Sequence, residues 1–217
     1  MAQVETGRDK PETYGTWWNT NSLDENWYRE IFDVRPRAHA FFMDWLGSRH
    51  REGETITRIL EVGCGRALYA DFLKAYDYNG TDISEKEIEF CRRRHGGPAE
   101  RFFVADAIAD DLRGPYDLVF SHAVIDHVYD VNLFIQKLFA ATTGWLYISA
   151  YRDWHPQRLR HEYNWYPEGT CYNNHLSPVE CRQALEDVGA RDIQVFPVFV
   201  DNRTDNFPFE TVIIARK

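Results

Sequence analysis

The residues best suited to chemistry begin at Ile59-Leu60-Glu61-Val62-Gly63-Cys64-Gly65-Arg66-Ala67, an apolar run that meets a glycine-rich turn. Gly63 and Gly65 let the backbone turn tightly and approach a ligand with no Cβ in the way. A helix is expected next, and its first N–H groups and positive dipole end would suit a carboxylate or a phosphate. Two acids follow later apolar runs. Asp82 stands in Gly80-Thr81-Asp82-Ile83-Ser84, where a carboxylate can accept from both hydroxyls of a ribose. Asp106 stands in Val104-Ala105-Asp106-Ala107, where it can accept from the amino group of an adenine. A dinucleotide fingerprint wants a third small residue at position 68, but Leu68 is there, which argues against an NAD-linked oxidoreductase.

Two histidines lie further on, in Ser121-His122-Ala123-Val124-Ile125-Asp126-His127. Either can act as a general base near neutral pH, and either can serve as a hydrogen-bonded loop residue. His122 is the first candidate for touching a substrate, and His127 the second.

These groups need a scaffold that brings strand ends together, and the pattern of the chain supplies one. Apolar runs at Arg58–Val62, Asp77–Thr81, Arg101–Val104, Tyr116–Phe120 and Trp145–Ser149 read as strands. Helical periodicity falls at Arg66–Ala75, Ser84–His95, Val131–Ala141 and Pro178–Val188. Ser84 with Glu87 forms a capping box, and Ser177 caps the last of these helices, which Gly189 ends. Ile193–Val200 and Phe207–Ala215 read as two late strands joined by a hairpin loop over Asp201–Asn206. Strand–helix alternation followed by a strand pair predicts an α/β fold: a single Rossmann-like, doubly wound sheet of seven strands, mostly parallel with one antiparallel strand. Ligands of such sheets sit at the carboxyl ends of the strands, where strand order reverses.

With these residues in this order, Arg58 to Ser149 resembles the class I S-adenosylmethionine (SAM)-dependent methyltransferases. The resemblance rests on Glu61, Gly63 and Gly65 in the turn, on Asp82, on the Asp106-Ala107 pair, and on Tyr116-Asp117-Leu118-Val119-Phe120-Ser121 with its continuation to His127. It departs at Ala67, where many members carry a third glycine. The resemblance implies SAM as cofactor, with a site comprising Glu61, Gly63, Gly65, Asp82, Ile83, Asp106, Ala107 and Ser121. In it Gly63 and Gly65 would line the methionine moiety and Asp82 would hold the ribose. Asp106 would read the adenine, with Ile83 and Ala107 against its ring.

Two further regions are expected to complete such a site. Residues 1–55 read as an amino-terminal helical lid or extension of the same domain, with two helices between Asp24 and Leu46 broken at Pro36 and a polar linker over Arg49–Thr55. Tyr14, Trp17 and Trp18 are candidate cover residues, and Arg37 is a candidate for the cofactor's carboxylate. Within the core, 56–217, the segment Tyr151–Leu176 is a long insertion rich in aromatics and amides. Tyr151, Arg152, His155 and Tyr172, together with Trp17 and Trp18, are the expected substrate contacts; Arg158 and Arg160 could also pair an acidic substrate group.

Composition narrows the substrate. The net charge of -9 disfavours a nucleic-acid track, which would want a basic face. Four cysteines form no CxxC pair and suit a reducing, cytoplasmic setting. The set His155, His161, Cys171 and His175 matches no structural zinc pattern, so no metal is expected. No apolar stretch reaches the ~20 residues that span a bilayer. The expectation is methyl transfer to a hydroxyl of a polar small molecule, a natural-product intermediate or a sugar, by a monomer or homodimer. A small amine as acceptor, and a non-catalytic SAM-fold subunit, remain as alternatives.

Overall fold

The computed structural model describes residues 9–21, 36–152, 154–200 and 208–217. Seven strands form the main sheet: β1 (Arg58–Val62), β2 (Asp77–Asp82), β3 (Phe102–Val104), β4 (Tyr116–His122), β5 (Thr142–Ala150), β8 (Arg191–Phe199) and β9 (Phe209–Arg216). Their order is β3-β2-β1-β4-β5-β9-β8, with β9 antiparallel to both neighbours and the other pairings parallel. Two short strands, β6 (Trp165–Tyr166) and β7 (Cys171–Tyr172), pair separately within the insertion. The hairpin loop expected over 201–206, and the first of the two amino-terminal helices, lie outside the described residues.

The two-residue period of the strands divides the core into two layers. Leu60, Val62, Val119, Leu146, Ile148, Ile213 and Ala215 face one side, covered by α4 (Val131–Ala141) and α5 (Pro178–Glu186). Ile59, Leu118, Phe120, Trp145, Tyr147, Val212 and Ile214 face the other. There α2 (Pro36–Arg51) and α3 (Glu85–His95) cover them, with Phe42, Leu46, Ile88 and Cys91 wholly buried. Strands buried on both faces need near-continuous apolar runs, which is why β1 and β4 read so plainly.

Two expectations are corrected. The helix read over Arg66–Ala75 is a single 3-10 turn, Leu68–Asp71. Ala67 before it is left-handed (φ 53°), so the turn runs on through position 67 and little chain is left for a helix before β2. The polar linker shortens, because α2 continues through Arg49 to Arg51, where cations meet the negative dipole end. Within 1–55, α2 packs as a core layer, its Phe42 stacking on Phe120 at 4.7 Å. Ahead of it, α1 (Thr16–Thr20) is one short turn.

The insertion is pinned to the core by a neutral histidine. Ser177 N donates to His161 Nδ1 (3.0 Å), so that nitrogen carries no proton, and Nε2 then donates to Asn132 Oδ1 (3.1 Å). Burial holds His161 down at about 4, so it remains neutral at pH 7 despite Glu180 at 3.7 Å. A histidine whose folded pKa lies below its unfolded value of about 6.5 stabilises the fold above pH 6.5, and that stability drains as pH falls towards 4. Unfolding free energy should therefore drop by roughly 2 kcal/mol between pH 7 and pH 5 from His161 alone. Urea titrations across this range check it. A flat profile, or a slope unchanged in His161→Gln, would contradict the assignment.

Candidate active site

The carboxyl ends of β1, β2 and β4 open into one cavity of about 220 Å³, at the place where strand order reverses on either side of β1. Its floor is the glycine turn. The N–H groups of Gly63 and Cys64 both donate to Thr81 O (2.8 and 3.0 Å), tying the turn to β2. Gly65 N donates to Asp82 Oδ2 (2.9 Å), and Ser84 N to Asp82 Oδ1 (2.9 Å). Gly63 (φ 74°) and Gly65 (φ 49°) are both left-handed, as a tight turn requires. Since the expected helix is absent, a helix dipole is not what this turn offers a ligand; the N–H groups of Gly63, Cys64 and Gly65 are held by Thr81 and Asp82, and what the turn offers is space beside the acids around it.

The acids around the turn differ in their surroundings: Asp106 is paired with Lys10, whereas Glu61 and Asp82 are raised chiefly by burial. Burial, with a smaller push from nearby Asp82, raises Glu61 to about 8 against the hydrogen bond that Tyr78 donates to it. Burial also raises Asp82, partly offset by the Ser84 and Gly65 N–H groups. Asp106 is better supplied: its Oδ1 accepts from Ile108 N (3.0 Å) and Ala109 N (3.4 Å), the pattern of a turn cap, and its Oδ2 from Lys10 (2.8 Å). Desolvated carboxyls of this kind favour a cationic ligand, which would stabilise their ionised form.

The cavity runs from Asp82, Ile83, Asp106 and Ala107, past Glu61, Gly63 and Gly65, to His122 and His127, with Tyr14 and Trp18 over it. His122 shares the face of Phe120 and pairs in register with Ser149, whose hydroxyl lies 2.6 Å from its Nδ1. His127 Nδ1 donates to Tyr172 O (2.9 Å), and burial holds its pKa below the ordinary value. The amino-terminal segment crosses the opening: Gly15 N donates to Thr170 O (2.8 Å) and Ser84 Oγ to Trp18 O (2.9 Å).

Several expected site residues lie elsewhere. Ser121 points to the opposite face and donates to Val62 O (2.8 Å). Arg37 lies over the Phe199 ring at 5.3 Å, and Trp17 packs edge-on against Trp18. The insertion folds on itself rather than into the cavity. Arg152 donates to Asn173 (2.7 Å), His155 meets His175 (3.1 Å), and Tyr172 is buried against Trp165. Tyr151 and Arg152 give their N–H groups to Asp126, while Arg158 and Arg160 pair with Glu162 and Glu180. Conversely, His39, Tyr69 and Val124 line the cavity without a local signal in the sequence. His39 sits one helical turn before Phe42, and only the packing of α2 on β4 brings it there. Among the described residues no group of three or more His, Cys, Asp or Glu is placed to hold a metal, and no helix is long and apolar enough to cross a membrane.

A seven-stranded 3-2-1-4-5 sheet with a reversed strand, and a cavity floored by a Glu-x-Gly-x-Gly turn, describe a methyltransferase. The chain belongs to the methyltransferase domain family, whose pattern it matches over residues 34–195. It is a class I SAM-dependent methyltransferase, and SAM is its cofactor. Among curated relatives it is 25% identical over 203 residues to the ubiquinone biosynthesis O-methyltransferase of Bordetella avium, covering 84% of this chain and 80% of that one. Among solved structures it shares its fold with magnesium protoporphyrin IX methyltransferase from Synechocystis PCC 6803 with bound SAH (17% identity, TM-score 0.59, 93% and 91% covered). An amino pentose methyltransferase from Micromonospora echinaspora with bound SAM is similar in the same way (14% identity, TM-score 0.59, 91% and 99% covered).

Proposed function

We propose that this enzyme transfers the methyl group of SAM to a hydroxyl of a polar, ring-bearing small molecule. The observation that carries the reading is the single cavity that joins the acids of β2 and β3 to the histidine wall of β4 across the glycine turn. In this reading Asp82 holds the ribose, Asp106 the adenine amino group, and Ile83 and Ala107 the ring. Gly63 and Gly65 leave room for the methionine moiety beside Glu61. The O-methyltransferase relatives support an oxygen acceptor, and the net charge of -9 suits a small molecule better than a nucleic acid. SAM when bound supplies a methyl group made electrophilic by its sulfonium. The chain's part is to align the acceptor and exclude water. His122 stands at the acceptor end, and His127, fixed through the Tyr172 carbonyl, braces the loop beneath Trp18.

Asp82→Ala tests the cofactor half. Losing the bonds of both ribose hydroxyls to a charged acceptor, at about 1.5–3 kcal/mol each, should weaken both SAM and its demethylated product at least about 100-fold by calorimetry. Equal binding by mutant and wild type would dismiss the site. The raised Glu61 adds a second expectation: at pH 7 the sulfonium drives its ionisation, so SAM should release more protons on binding than the uncharged thioether product does. Calorimetry in buffers of different ionisation enthalpy measures the difference, and an equal count for the two ligands would refute it.

A further inference from the structure

At the β4 end of the cavity His39 of α2 and Tyr69 of the 3-10 turn are hydrogen-bonded, Nδ1 to Oη, and both line the cavity. Tyr69 is only 4% exposed, and its ring lies flat on His122, centroids 4.9 Å apart and planes 14° from parallel. His122 is itself fixed by Ser149. One ring nitrogen of His122 is thus engaged and one face covered, which suits it to holding Tyr69 in place. A phenol hydroxyl on a ligand cavity with an imidazole behind it is built to pass a proton inward. When Tyr69 donates to His39 Nδ1, its oxygen keeps lone pairs to accept from a third group.

We propose that Tyr69 is a catalytic residue touching the acceptor hydroxyl, that His39 is the base behind it, and that the acceptor is a phenolic hydroxyl on a flat ring. The assignment rests on the O-methyl transfer proposed for this cavity. The choice of acceptor follows from acidity: imidazole at about 6.5 lies some 3.5 units below a phenol near 10, but roughly nine below a hydroxyl as weakly acidic as water. Tyr69, His122 and Trp18 all line the cavity, and aromatic side chains suit a ring. In the transfer the acceptor oxygen bonds to the methyl carbon, and the carbon–sulfur electron pair returns to sulfur. The phenolic proton passes to Tyr69 Oη and the Tyr69 proton to His39 Nδ1, leaving an imidazolium; no other reactant is consumed.

The probe is 4-nitrocatechol, whose absorbance distinguishes phenol from phenolate, added to protein saturated with the demethylated cofactor. Wild type should bind it with the phenolate band persisting at least one pH unit below its range in buffer. Tyr69→Phe and His39→Asn should bind the cofactor product within about threefold of wild type, which reports an intact fold, yet return the band to its free range. Methyl transfer to the probe should fall about 100-fold in both. If both variants bind the probe and keep the shifted band, the pair is not the proton acceptor and the O-methyl reading stands without it. If wild type binds the cofactor product but takes up no probe, the phenolic acceptor is wrong and the pair's role falls with it.

Discussion

Gly63→Ala should reduce the affinity for SAM and for its demethylated product at least 100-fold. Gly63 sits at φ 74°, where an L residue costs about 1–2 kcal/mol. A Cβ there would lie 2.2 Å from Val124 Cγ2, 3.2 Å from its Cβ and 3.3 Å from its Cγ1. Turning Val124 about χ1 can remove the 2.2 Å contact but leaves the tight ones at 3.2 and 3.3 Å, and a β-branched side chain resists that turn. Nor can the backbone retreat easily. On one side Gly63 and Cys64 donate to Thr81 O; on the other, Val124 follows Ala123, itself left-handed (φ 56°) and bonded through its N–H to Ser149 O (2.9 Å). The displacement must go into the cavity, where Gly65 N and Asp82 meet. Calorimetry with either ligand is the measurement. Adding Val124→Ala should restore part of the affinity by removing the steric share while leaving the φ strain. Binding by Gly63→Ala within threefold of wild type would show that the turn is far softer than its contacts imply.

Asp126→Ala should cost about 3 kcal/mol of stability, which for a chain of this size lowers the melting temperature by roughly 6–12 °C. Asp126 is wholly buried, and its carboxylate accepts from Tyr151 N (2.7 Å) and Arg152 N (2.9 Å), the residues that leave β5 for the insertion. Its carbonyl accepts from Asn174 N (2.7 Å), while the Asn174 amide donates to Ile125 O (3.2 Å) and Val128 O (2.8 Å). Alanine would strand two half-buried N–H groups at once, and unmade bonds of this kind cost more than a typical made one contributes. The damage should spread to the site, because the insertion carries Thr170, whose carbonyl and hydroxyl hold Gly15 N and Trp17 N at 2.8 Å each. Asp126→Asn keeps one acceptor and should recover about half the loss. Thermal and urea unfolding check both variants; a loss below about 1 kcal/mol in the alanine variant would mean that the insertion is anchored elsewhere.

The resemblance and the motif order led to the right fold class and cofactor because both depend on local rules. Buried parallel strands demand apolar runs, and the capping box at Ser84 satisfies its own helix end, so each can be read from a few adjacent residues. The helix expected after the glycine turn fails for the same reason: its apolar spacing is helical, but the left-handed Ala67 and the short path to β2 leave space for one 3-10 turn only. The insertion is a different case. Its aromatics and arginines have the composition of a ligand surface, yet Arg152, Arg158 and Arg160 find partners within or beside the insertion, and Tyr172 packs on Trp165.

By itself, then, the sequence determined the α/β alternation, the Glu61-to-Gly65 turn and the two acids that follow β2 and β3, since these lie within a few residues of the elements that hold them. What only the tertiary structure decided is the company those groups keep. Lys10 reaches Asp106 across 96 positions, Asn174 meets Val128 across 46, and His39 meets Tyr69 across 30. Such contacts follow from which face of the sheet each helix covers and how the insertion is tied down. They carry no periodic signal, because a single long-range hydrogen bond leaves no pattern in the residues beside it.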